Sequence, residues 1–248
     1  MKISIITATY NSAATVADTL QSIAGQTYPD IEHIIIDGLS KDNTLEIVKQ
    51  FAHPAIITSE KDKGIYDAMN KGIQKATGEV IGILNSDDFY SSETIISKVM
   101  ELFADPRVDA VYGDLQYVKQ EDSSKTVRTW KAGPFSKKSF YYGWMPPHPT
   151  FFVRKKAYEQ FGYFNLTLQT AADYEIMLRF LFKNDMLVKY LPEVLVKMRT
   201  GGASNASLLR RLKANREDRL AWQLNGLQPK FFTLTLKPLR KINQFVIK

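Results

Sequence analysis

The chain contains no cysteine. Disulfides, thiolate metal sites and cysteine nucleophiles are therefore excluded. Histidine is nearly as scarce. His33, His53 and His148 stand far apart in sequence, which argues against a histidine-rich zinc site. No apolar run approaches the length of a membrane-spanning helix. Residues 3–8 are apolar, but only Lys2 precedes them and no cleavage site follows, so no signal peptide is expected. Gly-x-Gly-x-x-Gly is missing after the first predicted strand, which weakens a dinucleotide dehydrogenase. Gly-x-x-x-x-Gly-Lys-Ser/Thr is missing too, which weakens a P-loop protein. Internal repeats and low-complexity linkers are also lacking.

What is present is an ordinary globular composition with uneven charge. Hydrophobic residues make up 44% and charged residues 24% of 248, enough for one large domain with an appendage. The formal charge is +7. Residues 1–196 hold 21 Lys/Arg against 24 Asp/Glu, and residues 197–248 hold 12 against 2. A mildly acidic body thus carries a strongly basic tail, which calls for an anionic partner such as membrane lipid, nucleic acid or a phosphorylated substrate.

Periodicity predicts strands and helices in alternation, hence βαβ units and a mostly parallel sheet. Strands are expected at 2–8, 31–36, 55–59 and 80–84, and helices at 15–26, 44–51 and 64–77, the last stopped by Gly78. Beyond residue 90 come a helix at 93–103, strands at 108–112 and 115–118, and a polar hairpin or loop over 119–139. A proline-locked segment surrounds His148. A strand follows at 150–153, helices at 155–161 and 174–183, and strands at 188–190 and 194–198.

The most telling stretch is Ile81-Gly82-Ile83-Leu84-Asn85-Ser86-Asp87-Asp88. An apolar run ends in two adjacent carboxylates at the C-terminal end of a strand, where open α/β sheets bind ligands. Like charges side by side are explained by a cation or a hydroxyl-rich ligand between them. They also read as a solvated acidic turn before a helix. The first two strands end in polar residues as well, at Thr9 and Asp37. Without a glycine cradle, an acidic face needs a divalent cation to hold a diphosphate.

Several ordered segments resemble a known family. They are Ile3 to Asn11, Ile34 to Thr44, Gly64 to Gly72 with its Gly-Ile-Tyr-Asp-Ala-Met-Asn, Leu84 to Asp88, and Ala172 to Glu175. In this order and spacing the chain, from residue 1 to about 205, resembles the family 2 glycosyltransferases of the GT-A fold. The form with Asn-Ser-Asp-Asp and Gly-Ile-Tyr-Asp-Ala-Met-Asn resembles bacterial enzymes of colanic acid, capsule and O-antigen assembly. The resemblance implies an α/β domain with a mostly parallel mixed sheet and an inverting transfer from a nucleotide-sugar. It implies donor contacts at Thr7, Thr9, Asn11, Asp37, Asp62, Lys63, Asn85 and Asp87, and Mg²⁺ or Mn²⁺ on Asp88. It makes Asp173 the catalytic base; the residue also suits a helix N-cap. The chain departs from the pattern at Ile36, Asn85 and Ala172, where the family often has acidic residues. Arg199, Thr200, Gly201, Gly202 and Ser204 resemble a loop that closes over the donor, with Arg199 near the leaving diphosphate. Trp144, His148 and Glu175 are candidate acceptor contacts; His148 reads equally well as structural, and Glu175 as a local ion-pair partner.

The resemblance divides the chain into a domain at 1–205 and an extension at 206–248. In the extension, basic residues alternate with Leu208, Leu209, Leu212, Leu220 and Trp222, then with Leu239, Ile242, Phe245 and Val246. This pattern suggests an anionic membrane surface and a lipid-linked glycan acceptor at the inner, cytoplasmic face of a bacterial plasma membrane. It equally suits a helical appendage packed on the body or on a second copy in a homo-oligomer. No nucleic-acid-binding module accompanies the charge. A nucleotidylyltransferase is the alternative enzyme, although Asn11 to Thr15 lacks the glycine-rich basic loop it would want. A non-catalytic nucleotide- or glycan-binding protein is the alternative outside enzymes.

Overall fold

The structure, a computed structural model, describes residues 1–201 and 208–240, with backbone alone over 208–213. The first half alternates β1 (Ile3–Thr9), α1 (Val16–Ala24), β2 (Ile31–Asp37), α2 (Thr44–Lys49), β3 (Pro54–Ser59), α3 (Ile65–Lys75) and β4 (Val80–Ile83). The second half holds β5 (Asp88–Tyr90), α4 (Ile95–Leu102), β6 (Ala110–Val118), β7 (Thr126–Trp130), β8 (Phe152–Arg154), α5 (Lys155–Phe161) and α6 (Ala172–Met177). It ends with β9 (Val188–Arg199), α7 (Leu208–Leu224) and α8 (Thr233–Leu239). The strands form one mixed sheet in the order β3-β2-β1-β4-β8-β6-β9-β5, with β7 paired to β6.

The apolar sequences of β1, β2 and β4 follow from their place. They run parallel at the centre of the sheet, and helices cover both faces. Ile6 and Ala8 face Met69 and Ile73 of α3, whereas Ile3 and Ile5 face Ile96, Val99 and Phe103 around α4. Parallel register brings the C-terminal ends of β1, β2 and β4 to one edge, with Thr9 opposite Asp37. Beyond β4 the sheet turns antiparallel through β8, and the parallel pair β6–β9 carries β5 on its far side.

Several boundaries differ from those the periodicity predicts. Residues 108–118 hold one strand rather than two. Gly113-Asp114 does not break it, because the buried Asp114 carboxylate accepts from Ala132 N–H at 2.8 Å and Tyr190 Oη at 2.7 Å. The two late strands are likewise one. Pro192 and Glu193 fall at a register shift, where Gly113 pairs Leu191 and Asp114 pairs Val194, so the bulge absorbs the proline. Gly78 does not stop α3, which ends at Lys75. It sits where a Cβ would stand 2.6 Å from Ser4 N, so its role is close approach. The helix expected at 174–183 starts at Ala172 and widens into π turns over Leu178–Lys183, closed by Asn184 N–H to Arg179 O at 3.1 Å. Residue 150 belongs to a 3-10 turn at His148–Thr150, not to β8. The segment at 119–139 contains β7, which makes it a hairpin with β6.

The described part of the C-terminal extension is folded onto the body. Trp222 and Ala221 are fully buried in the main core, and Trp222 Nε1 donates to Tyr174 Oη at 3.0 Å. Lys237 Nζ pairs with Asp218 at 2.6 Å and lies 3.5 Å from the Tyr174 ring centre.

One buried pair gives the fold a pH dependence. His33, on β2, is fully buried; its Nδ1 lies 3.0 Å from His53 Nε2 and its Nε2 3.0 Å from Thr7 Oγ1. Burial, aided by the His53 charge, pushes the His33 imidazole down to about 3, and burial lowers His53 as well. The unfolded chain takes up protons below about 6.5 that the folded pair refuses. The pair's contribution to stability is therefore complete above that pH and declines toward 3. Urea unfolding at pH 7, 6 and 5 is expected to show this loss, at most about 1.4 kcal/mol per unit per proton. His33→Gln flattens it; an unchanged slope in that variant refutes the assignment.

Candidate active site

The loops after β1 and β2 are laced together by hydrogen bonds. Asn11, in the left-handed region at φ 49°, donates its N–H to Ser40 Oγ at 2.9 Å and accepts from Lys41 N–H at 2.8 Å. Ser12 N–H donates to Thr44 Oγ1 at 2.7 Å, and Ala13 N–H to Asp42 at 3.0 Å. Asn11 therefore shapes the loop. Asp37 closes β2 fully buried, with its carboxylate accepting from Ser40 N–H at 3.0 Å, Ser40 Oγ at 2.5 Å and Ser59 Oγ at 2.6 Å. Three of its roughly four acceptor sites are thus occupied from within the protein. Asp62 stands beside it, with one oxygen taking Gly64 N–H at 2.9 Å. A Cβ on Gly38 would lie 2.5 Å from the other oxygen and 3.5 Å from the exposed Tyr10 ring. Gly38 thus keeps Asp62 and Tyr10 together at the edge. Lys63 is exposed beside them, its N–H donating to Asp67 at 2.9 Å.

The turn from Asn85 to Asp88 is held from α1. Thr15 Oγ1 donates to Ser86 O at 2.9 Å, Thr19 Oγ1 to Asp88 O at 2.7 Å, and Ser12 and Ser86 hydroxyls lie 2.8 Å apart. Asp87 is half-buried. Asp88 has no solvent exposure. Asn85 Nδ2 donates to Asp88 Oδ2 at 3.2 Å, while Asn85 Oδ1 and Asp88 Oδ1 are buried without a partner, as is Thr9 Oγ1. Burial, then the Asp87 charge, push the Asp88 carboxyl well above the usual carboxylate range; Asn85 and Arg199 oppose them. Burial raises Asp87 too, against the pull of Arg199.

The Asn85 amide oxygen and the Asp88 carboxyl oxygen, on one turn and with unspent lone pairs, are hard donors of the kind that Mg²⁺ or Mn²⁺ takes. Such ions take one or two carboxylates and complete their shell with phosphate and water. Among the described residues no group of three His, Cys, Asp or Glu could hold a metal alone.

The other half of the site centres on Asp173. It lies inside the first turn of α6 rather than at its N-cap, which is Ala171. Asp173 Oδ1 accepts from Tyr174 N–H at 2.8 Å and from Tyr66 Oη at 3.4 Å. His148 is half-buried, edge-on to Phe164 with centroids 5.6 Å apart. Burial pushes its imidazole down, and the Asp173 charge opposes. Tyr117 on β6 joins the halves. Burial raises its phenol, Arg128 opposes, and the Asp88 and Asp173 charges add to the rise. Arg128, the cross-strand partner of Tyr117 on β7, stacks 3.7 Å from its ring centre.

Four expected residues lie elsewhere or are already committed. The Thr7 hydroxyl is buried against His33. Trp144 is a core residue, its Nε1 bound to Ala132 O at 2.7 Å and its ring edge-on to Tyr112 and Phe140. Glu175 is buried in a two-pronged ion pair with Arg179, at 3.0 and 2.6 Å, and accepts from Asn225 Nδ2 at 3.1 Å. Strand and helix periodicity turns Thr7 and Glu175 toward the core, and Trp144, outside any helix or strand, is held there by the Ala132 bond and its ring contacts. Arg199 is buried. It pairs with Asp18, donates to Asp87 O at 2.9 Å and stacks on Phe89, so it braces the acidic turn. Gly202 and Ser204 lie outside the described residues. The sequence reading missed Thr15, Thr19, Tyr66, Tyr117 and Arg128. Only Tyr66 left a signal, inside the Gly-Ile-Tyr-Asp-Ala-Met-Asn segment.

Comparison with known proteins agrees with this geometry. The chain is similar to S. aureus TarS 1–349 in complex with UDP-GlcNAc, with TM-score 0.70 and 19% identity over 91% of this chain. It spans 65% of that structure. It is also similar to the mannosyltransferase PcManGT of Pyrobaculum calidifontis in complex with GDP-Man and Mn²⁺, with TM-score 0.63 and 19% identity, covering 95% of this chain and 68% of that one. At such identities the likeness is one of fold, and that fold is GT-A. In sequence the chain is 32% identical over 208 residues to a PGL/p-HBAD biosynthesis glycosyltransferase of Mycobacterium bovis (strain BCG / Pasteur 1173P2), covering 82% of this chain and 78% of that protein. The family profile described as Glycosyl transferase family 2 matches residues 4–162. With that match and that identity, the chain belongs to glycosyl transferase family 2.

Proposed function

We propose that the protein is an inverting glycosyltransferase, dependent on Mg²⁺ or Mn²⁺. It moves a sugar from a UDP- or GDP-sugar to a hydroxyl of a lipid-linked glycan in cell-surface polysaccharide assembly. The observation that carries this reading is the buried Asp88 carboxylate with an unpartnered oxygen, on the same turn as the unpartnered amide oxygen of Asn85, at the strand edge of a family 2 fold. Asp62 and Tyr10 at the β1–β2 end suit a nucleobase, and Asp87 a ribose or sugar hydroxyl. Asn85 and Asp88 would hold the cation, whose charge stabilises the departing diphosphate. Asp173 takes the proton of the acceptor hydroxyl as its oxygen attacks the anomeric carbon on the face opposite the diphosphate. One base suffices, because the leaving group needs no protonation.

The acceptor's lipid anchor is supported by the C-terminal surface. Phe231 is 93% exposed, with the Phe232 ring 5.1 Å away and Tyr142 stacked 5.6 Å behind that. Phe231 stands just ahead of α8, on which Thr235 and Leu239 are exposed, and exposed Lys230 and Arg240 flank the segment. An aromatic tip ringed by cations suits the interface of an anionic bilayer. This surface favours a peripheral position on the inner face of the plasma membrane.

Thermal melts with a panel of nucleotide-sugars, with and without Mn²⁺, test the donor site. Asp88→Ala is expected to lose the Mn²⁺-dependent part of the stabilisation; a full Mn²⁺ effect in that variant refutes the metal role. Asp173→Asn is expected to keep donor binding and lose transfer by about 10²- to 10⁴-fold. Undiminished transfer removes Asp173 as the base, and donor binding with no turnover in the native protein favours a non-catalytic binder. For the membrane surface, Phe231→Ser is expected to reduce sedimentation with phosphatidylglycerol vesicles while leaving the melting temperature in place. Equal partitioning rejects the lipid surface. A point change is the proper probe, because deleting α7 would take Trp222 out of the core.

A further inference from the structure

Helix α3 lies in the donor half of the fold, yet one of its faces reaches across to the base. Tyr66 and Asn70 stand four residues apart and so share that face. Asn70 grips the backbone of Phe164 twice: its Nδ2 donates to Phe164 O at 2.9 Å, and Phe164 N–H donates to its Oδ1 at 2.9 Å. The Tyr66 ring stacks on the Phe164 ring, with centroids 5.5 Å apart and planes 23° apart. Phe164 in turn meets His148 edge-on. The Tyr66 ring is thus held on a platform that is itself tied to α3, and its hydroxyl reaches Asp173 Oδ1.

We infer that Tyr66 is a positioning residue for the base: it fixes Asp173 Oδ1 so that Oδ2 faces the acceptor hydroxyl. The inference rests on the reading of Asp173 as base. Oδ1 already takes Tyr174 N–H, and the Tyr66 hydroxyl makes a second donor on the same oxygen. A carboxylate pinned through one oxygen presents the other in a fixed direction, which is what proton abstraction requires. In the step itself, the acceptor O–H proton passes to Asp173 Oδ2 while the new O–C1 bond forms and the C1–O bond to diphosphate breaks. Tyr66 keeps its own proton throughout. The groups that bear electrostatically on this pair are His148 and Tyr117 around Asp173 and Glu217 on α7 toward Tyr66. None of them donates to Oδ1 among the described hydrogen bonds.

Tyr66→Phe tests the inference, because it keeps the ring on Phe164 and removes only the hydroxyl. The assay is transfer to water, followed as release of free sugar, from the nucleotide-sugar that stabilises the native protein against heat in the presence of Mn²⁺. A donor to Oδ1 is lost, so the acidic limb of the pH–rate profile is expected to differ from that of the native protein. The plateau kcat is expected to fall about tenfold with KM for the donor unchanged. As a second variant, Asn70→Ala loosens Phe164 and is expected to lower kcat in the same direction without weakening donor binding. Unmoved limb and kcat in Tyr66→Phe overturn the inference. Asp173→Asn separates the two levels of the argument. If it still releases sugar, the base reading fails. If it is inactive while Tyr66→Phe matches the native profile, only the role of Tyr66 fails.

Discussion

Asp88 is a carboxylate taken wholly out of water and left with one oxygen unbonded. Such a group costs stability unless a cation or proton answers it. Much of the surrounding structure exists to keep it there. Thr15 and Thr19 of α1 bond the backbone of its turn, Arg199 braces the turn through Asp18 and Asp87 O, and Asp88 itself begins the strand that pairs with β9. The carboxylate is closed off from solvent and takes its one side-chain hydrogen bond from Asn85. That rigidity is the property a metal and diphosphate site needs, because the ligand then supplies what the protein withholds.

The same β9 links this acidic turn to the other half of the cleft. It runs parallel to β6, and β6 brings Tyr117 to a point where both the Asp88 and Asp173 charges reach its phenol. Asp173 is held from three directions. Tyr66 comes from α3, Tyr174 N–H from its own helix, and α7 grips the segment before it. Glu217 accepts from Gln169 N–H at 3.0 Å and Thr170 N–H at 2.7 Å, just ahead of the turn that carries the base. Trp222 and Asn225 fasten the same helix from behind, through Tyr174 and Glu175. The C-terminal helices are therefore part of the frame that holds Asp173, in line with the packed appendage that the sequence left open beside a membrane role.

Legibility in the sequence was uneven, for physical reasons. Buried parallel strands announce themselves as apolar runs, so β1, β2 and β4 and the polar residues at their ends could be read directly. Charge patterns stood out as well, since two adjacent carboxylates after an apolar run repel and ask either for a cation or hydroxyl-rich ligand or for a solvated turn. Strand continuity through Gly113-Asp114 and past Pro192 could not be read. It depends on Tyr190 and Ala132 satisfying Asp114, and on a bulge opposite the proline. Trp144, Glu175 and Thr7 stand next to candidate site residues in the sequence, and only packing turned them inward.

The sequence by itself determined the family, the alternation of strands and helices, and the residue types at the strand ends. Those properties are local, written in periodicity, turn chemistry and ordered motifs. Tertiary structure alone decided which of those side chains meet. It buried Asp88 with a spare oxygen, filled Asp37 with internal donors, engaged Arg199 as a brace, and brought Tyr66 from a distant helix onto Asp173. The physical reason is that hydrogen-bond satisfaction and burial are properties of a place in space, and residues 66 and 173 share a place only once the two halves of the sheet have closed on one core.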